Sequence, residues 1–263
     1  MKHRIALIGF GTIAADVAAG LREHADDYVM AALCRRPDTP LPDDVHRLAD
    51  FVGLLAWRPD LVVEVAGQGA VREHAESCLK AGIPVVVSSV GALADDDQCR
   101  TLHDAARAGK TRLIIPAGAV GSLDYLNAIR HIKGAHVTYE SRKPAAAWKA
   151  ELAELGHDAA LLDEPVVLYE GDAATAARKY PKNLNVAATL ALAGVGMQAT
   201  QVKVVADPAA TENQHTIHVQ SPLGTLTTKL VNQPSPSNPK TSWIVAQSVL
   251  AAVRRQFARV VVG

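Results

Sequence analysis

The sequence predicts an α/β protein in which an N-terminal parallel sheet is followed by a second, α+β domain. Three observations carry this. Apolar strand runs and helical runs alternate through the first 120 residues, and the first strand ends in a glycine-rich turn. Much of the second half is then a run of strands with few helical signals. Strand–helix units with short turns imply parallel strands joined by right-handed crossovers. Successive strands instead imply hairpins.

Arg4-Ile5-Ala6-Leu7-Ile8 reads as a buried strand, followed by Gly9-Phe10-Gly11-Thr12-Ile13-Ala14 and an apolar helix over about 14–21. This is the G-x-G-x-x-A form of the dinucleotide fingerprint, with a strand before it and a helix after, and it marks a Rossmann-type sheet. Gly9 allows a tight turn, Gly11 admits backbone close to a pyrophosphate, and Ala14 lets helix and strand pack closely. Thr12 and Ile13, between the second glycine and the helix, complete the cofactor-binding candidates, and the first N–H groups of the helix favour phosphate. The second strand, 28–34, ends at Arg35-Arg36-Pro37. A site selective for NAD carries Asp or Glu roughly 20 residues past the glycines. Arg35 and Arg36 stand there instead and could pair with a 2′-phosphate; the plainer alternative is that they are simply solvated. The cofactor expected is therefore NAD or NADP.

Further strands are expected at 60–67, 82–89 and 111–116, with helices at 70–81 and 95–108. Asp95-Asp96-Asp97 suits the first turn of the latter helix. The strand exits after Ala66, Ser89 and Pro116 would open on the carboxyl edge, where such sheets bind ligands. Glu64 resembles a catalytic acid on paper, but inside a strand it reads as partly buried and hydrogen-bonded, or at an edge.

After Gly121 the pattern changes. Helices are expected at 122–132, 145–155, 173–180 and 186–193, and strands at 135–141, 165–170, 200–206, 215–220 and 225–231. The last two strands join through Ser221-Pro222-Leu223-Gly224 as a hairpin. A proline-rich loop, 232–239, leads to a final helix from 241 to about 259. That helix is too apolar to stand free and is expected to return to the first sheet. The domains are thus 1–120 plus 240–263, binding dinucleotide, and 121–239, binding substrate and carrying catalysis.

Composition narrows the function. The 263 residues carry 27 Lys+Arg against 27 Asp+Glu, so no whole-chain field draws nucleic acid or an anionic membrane. No apolar run approaches the roughly 18 residues of a transmembrane helix. Cys34, Cys78 and Cys99 have no metal-ligand spacing and are expected to be reduced. The chain enters a strand at once, which leaves no room for a signal peptide. A cytoplasmic globular protein without a metal is the expectation. There is no G-x-S-x-G, H-E-x-x-H or Walker lysine, so nucleotide-dependent redox chemistry leads.

Such chemistry needs one proton handler, and histidine is the most convenient near neutral pH. Of ten histidines, His215 shares a strand face with Asn213, Ile217 and Val219. That pattern fits a core residue as well as a catalytic one. Asn183 and Asn185 precede a helix as candidate caps. Asn238-Pro239-Lys240-Thr241-Ser242 is read as opening the last helix. Thr241 or Ser242 would cap it, and Lys240 beside the helix N-terminus would make a carboxylate site. These three are the substrate-binding candidates.

Taken together, Gly9–Ala14, Pro116-Ala117-Gly118-Ala119-Val120-Gly121-Ser122-Leu123-Asp124, Pro181-Lys182-Asn183-Leu184-Asn185-Val186-Ala187, Glu212-Asn213-Gln214-His215 and Asn238–Ser242 resemble the L-aspartate dehydrogenase family over nearly the full length. The resemblance implies NAD(P)-dependent oxidative deamination of L-aspartate to iminoaspartate, which hydrolyses to oxaloacetate and ammonia. It also implies a homodimer, assembled through the second domain, and supply of iminoaspartate to NAD biosynthesis. The family's active-site histidine falls on His215, and two cofactor-contact positions fall on Ala119 and Asn185. Where the family often carries an acidic residue, this chain has Cys34-Arg35-Arg36, a departure that favours tolerance of NADP. Two other readings stay open. One is a two-domain reductase of the dihydrodipicolinate reductase or homoserine dehydrogenase type, which shares the opening motif but does not account for the segments at 212–215 and 238–242. The other is a protein that senses NAD(P) without turnover.

Overall fold

Strands covered on both faces must be apolar along their length, and the first sheet is built of such strands. In the computed structural model, which describes residues 2–180, 184–236 and 238–262, the chain divides into two units, Met1–Gly118 with Val245–Gly263, and Ala119–Ile244. The first unit holds β1 (His3–Ile8), β2 (Tyr28–Leu33), β3 (Val45–Leu48), β4 (Leu61–Glu64), β5 (Val85–Val87) and β6 (Leu113–Ile114). Their order is β3-β2-β1-β4-β5-β6, parallel throughout. The strand order reverses between β1 and β4, which is where open α/β sheets take their ligands.

The helices of this unit are α1 (Thr12–Arg22), α2 (Phe51–Ala56), α3 (Gln68–Ala70), α4 (Glu76–Lys80), α5 (Asp96–Ala108) and the last helix, Ile244–Phe257, which belongs to it from Val245 onward. Between α3 and α4 the helix passes through a π turn, Val71–Ala75. Asp95 caps α5, accepting from the N–H groups of Asp97 and Gln98. The strand β3 and helix α2 lie where the sequence suggests no element.

Helix α1 buries Ala14, Val17, Ala18 and Leu21, and the last helix buries Ala246, Val249, Leu250 and Val253. Both sets follow the three-and-four spacing of one helical face, and they join Ile5, Leu7, Met30 and Val63 in one core. Gly20 makes the helix pair fit, because a Cβ there would stand 2.3 Å from Leu250 Cδ2.

The second unit contains α6 (Leu123–Ile129), β7 (His136–Pro144), α7 (Lys149–Glu154), β8 (Val166–Asp172), α8 (Ala173–Lys179), α9 (Asn185–Ala193), β9 (Thr200–Asp207), β10 (Asn213–Ser221), β11 (Gly224–Asn232), β12 (Pro234–Ser235) and β13 (Asn238–Ser242). Its main sheet runs β11-β10-β7-β9-β8. It is antiparallel except between β7 and β9. Along β7 the side chains of Val137, Tyr139, Ser141 and Lys143 are buried, and along β10 those of Asn213, His215, Ile217 and Val219. This period-two burial puts both sets on one face. The antiparallel register sets Ser141 opposite His215 and Tyr139 opposite Ile217.

One expectation is corrected here. Residues 238–242 do not open the last helix; they form β13, which pairs with β12 through Pro234↔Ser242 and Ser235↔Asn238. Asn238 precedes a proline, which disfavours helical backbone, and β-branched Thr241 suits a strand. The ladder extends to Trp243, whose N–H donates to the Gln233 carbonyl at 2.9 Å, and the helix begins only at Ile244.

Candidate active site

The carboxyl ends of β1, β2 and β4 open into a cleft of about 650 Å³ within the first unit. Gly9, Phe10 and Gly11 line it from the end of β1, Cys34, Arg35 and Arg36 from β2, and Ala66 and Gly67 from β4. Gly9 sits at φ +89°, and a Cβ there would lie 2.6 Å from Ala66 Cβ, so only glycine fits. At Gly11 a Cβ would meet nothing within 4 Å: its absence leaves room for a ligand rather than for the protein. Gly11 is also the cap of α1 and supplies no side-chain acceptor, so the helix offers its first N–H groups outward. Thr12 and Ile13 are the first residues of that helix. These features fit a dinucleotide pyrophosphate.

Arg35 and Arg36 are exposed on the cleft, and neither forms an ion pair among the described residues. Sequence reasoning missed the far wall, where Phe51 and His74 stack at 4.9 Å. Phe51 opens α2, and Asp50 before it caps that helix by accepting from the Gly53 N–H at 2.7 Å. That aspartate ahead of an apolar run was the available signal.

Glu64, at the end of β4, is fully buried rather than partly so, at 1% exposure. Its carboxylate accepts from the N–H groups of Ala66, Gly67 and Ser89 and from Ser89 Oγ, at 2.7–3.0 Å. Burial pushes its pKa up while these donors pull it back down. Its role is to tie together the loops leaving β4 and β5.

In the second unit His215 is 3% exposed. Its Nδ1 lies 2.7 Å from Tyr139 Oη and the two rings stack with centroids 6.0 Å apart. Its Nε2 is buried with no hydrogen-bond partner among the described residues. Burial, reinforced by the Lys143 ammonium, pushes the imidazole pKa down to about 3, so it is neutral at physiological pH. Burial likewise lowers Lys143 to about 8 and raises the Tyr139 hydroxyl. Two residues before His215, Asn213 donates from Nδ2 to Ser242 Oγ at 3.1 Å, which anchors β13 to β10. Burial thus leaves a neutral imidazole with one nitrogen held and the other lone pair unspent, while weakening that nitrogen as a base.

Tyr139, Ser141 and Lys143 escaped the sequence reading. The strand was expected to stop at 141, whereas β7 runs on to Pro144. The Tyr-x-Ser-x-Lys alternation was the signal that could have found them.

Other expected positions are scattered. Ala119 and Asn185 both belong to the second unit. The Ala119 carbonyl accepts from Asn232 Nδ2 at 2.8 Å. Asn185 is the first residue of α9 rather than its cap, a position taken by Leu184. Asn183 lies outside the described residues, as does the side chain of Lys240. Thr241 and Ser242 cap nothing, since they stand in β13; Thr241 Oγ1 accepts from Asn238 Nδ2 at 3.3 Å. No group of His, Cys, Asp and Glu among the described residues could hold a metal. No helix of the described residues is long and apolar enough to cross a membrane.

Comparison with known proteins bears on both units. Residues 124–256 match the family model described as aspartate dehydrogenase, C-terminal. Residues 9–116 match the one described as homoserine dehydrogenase, NAD binding domain. The chain is 57% identical to L-aspartate dehydrogenase 2 of Bordetella bronchiseptica, with both chains covered in full. It is 44% identical to L-aspartate dehydrogenase of Ruegeria pomeroyi, over 98% of this chain and 94% of that one. Aspartate dehydrogenase from Thermotoga maritima shares the fold, with a TM-score of 0.77 and 24% identity over 100% of each chain.

Proposed function

The chain belongs to the L-aspartate dehydrogenase family, and from that premise we propose that it oxidises the amine carbon of L-aspartate with NAD or NADP, using His215 as the base. The observation that carries the residue assignment is the buried imidazole whose Nε2 has no partner while Nδ1 is held by Tyr139. The bound cofactor supplies the hydride acceptor, a chemistry the protein itself lacks. Gly9, Gly11, Thr12 and Ile13 would hold its pyrophosphate at the head of α1. Arg35 and Arg36 would meet a 2′-phosphate, and Ala119 and Asn185 would contribute the remaining cofactor contacts that the family resemblance implies.

The substrate ammonium must shed a proton before its nitrogen lone pair can form the imine. With Nδ1–H donating to Tyr139 Oη, the Nε2 lone pair of His215 is free to take that proton. Hydride then leaves Cα as the C=N bond forms. Water adds to the resulting iminoaspartate, and loss of ammonia yields oxaloacetate. Once the first proton has passed to solvent, His215 is neutral again and can assist the addition by accepting a proton from that water. Ser242, bonded to Asn213 on the His215 face, and its strand neighbours Thr241 and Lys240 make up the remaining substrate-binding assignment. A homodimer, a cytoplasmic location and delivery of iminoaspartate to NAD biosynthesis complete the proposal, all three supported by the family resemblance.

The test follows nicotinamide absorbance with a panel of amino and hydroxy acids, using NAD and NADP separately. Turnover confined to L-aspartate is expected. Reduction of cofactor by homoserine, or no absorbance change with any acid, overturns the assignment.

A further inference from the structure

The main sheet of the second unit buries a cation that no described residue neutralises. Lys143 is 5% exposed, yet it makes no ion pair and no hydrogen bond among the described residues. Its Nζ lies 5.5 Å from the centroid of the Trp148 ring. Glu151 on α7 attracts it without reaching ion-pair distance. An aromatic face returns only part of the hydration an ammonium gives up, and an unpaired buried charge is among the costliest features a fold can carry.

Its surroundings share the same deficit. Ser141 Oγ, two residues earlier on the same face of β7, is buried without a partner. So is Trp148 Nε1, on the 3₁₀ turn Ala145–Trp148 that follows the strand. His215, paired with Ser141 in the ladder, carries the unspent Nε2. A cation, a hydroxyl and an indole N–H, each with a hydrogen to give, suit an anion with several acceptor oxygens. Folds leave few buried polar groups unsatisfied, and two such atoms, Ser141 Oγ and Trp148 Nε1, flank Lys143 within eight residues of chain.

We propose that Lys143 is a substrate-binding residue, whose ammonium holds one carboxylate of the dicarboxylate substrate on the sheet face that carries His215, with Ser141 and Trp148 as supporting donors. This rests on the reading of the protein as an aspartate-oxidising enzyme. It also links binding to chemistry. The Lys143 charge depresses proton affinity at His215, and a carboxylate seated on that ammonium offsets the repulsion. The base thus gains strength when the substrate is in place.

Lys143→Met and Lys143→Arg, made in the full chain, test this with L-aspartate kinetics and with calorimetric titration of succinate, a four-carbon dicarboxylate that cannot be oxidised at an amine. Lys143→Met is expected to raise KM for L-aspartate and Kd for succinate by roughly 10- to 100-fold, the range for a lost hydrogen bond to a charged group. In that variant kcat should change less and cofactor affinity should hold, while Lys143→Arg regains part of the loss. Wild-type succinate affinity and KM in Lys143→Met overturn the proposal. An unchanged KM with a lower kcat and a displaced pH profile also overturns it, because Lys143 would then act only on His215. Loss of cofactor binding as well, unrescued by arginine, assigns a structural role and overturns it too. Should wild-type protein fail to oxidise L-aspartate, the reaction assigned above falls, while the succinate titration still decides Lys143.

Discussion

Replacing His215 by glutamine should remove a defined part of the protein's acid sensitivity. Burial pushes the imidazole from its ordinary 6.5 down to about 3 in the folded chain. Between those values the unfolded chain binds a proton that the folded one refuses, so stability rises with pH there. The contribution is fully present above pH 6.5 and is lost as pH falls toward 3. At pH 5 the unfolded chain is favoured by about 1.5 pH units of protonation, or about 2 kcal/mol. At a typical urea slope of about 2 kcal/mol per molar, that moves the midpoint by about 1 M between pH 8 and pH 5. The assay is urea unfolding by tryptophan fluorescence in a Trp57→Phe background. Trp148 and Trp243, the two remaining tryptophans, both lie in the second unit with His215. His215→Gln should flatten the pH dependence of that midpoint by most of 1 M. An equal shift in both proteins refutes the reasoning, because the buried imidazole would then contribute nothing to acid sensitivity.

Other outcomes follow from the same geometry. His215→Ala should lower kcat by roughly 10²- to 10⁴-fold, the usual worth of a general base, while circular dichroism and cofactor affinity stay as in the wild type; wild-type turnover would return His215 to a packing role. Gly9→Ala should cost about 2–5 kcal/mol, combining left-handed backbone strain with a forced displacement of Ala66, and should abolish cofactor binding. Thermal unfolding and NADP titration check it, and a stable variant with normal affinity contradicts the close approach of β4. The double replacement Arg35→Ala and Arg36→Ala should weaken NADP more than NAD in equilibrium titrations. Equal loss for both removes the 2′-phosphate argument.

The parallel sheet was legible because strands such as Leu61–Glu64 and Val85–Val87 are buried on both faces and carry little but aliphatic side chains. The fingerprint was legible because its glycines stand in the only context that gives them meaning, between a strand and a helix. Short elements with mixed polarity were not. In β3 the residues His46 and Arg47 are exposed between two buried neighbours, so four residues show no clear period. At 238–242 the sequence offers Thr and Ser before an apolar helix, the usual cap pattern, but pairing with 234–235 decided the local conformation instead. The sheet face that carries His215 was half legible. The alternation around His215 could be read, yet what distinguishes a core histidine from a base is the hydrogen bond that holds its ring, and Tyr139, which makes it, is 76 residues away.

The return of the last helix to the first sheet bears on how the chain is made. The core around Ile5, Leu7 and Val17 is completed by Ala246, Val249, Leu250 and Val253, the last of which is made 236 residues after Val17. Until those residues emerge, the nascent first unit exposes the apolar stripe on α1 that they will cover. The second unit is continuous in sequence and can fold as soon as it emerges, so the half of the protein translated first is the half that matures last. Truncation within the final helix would leave the first sheet with an open core, and would do so without touching any residue proposed above to bind cofactor or substrate.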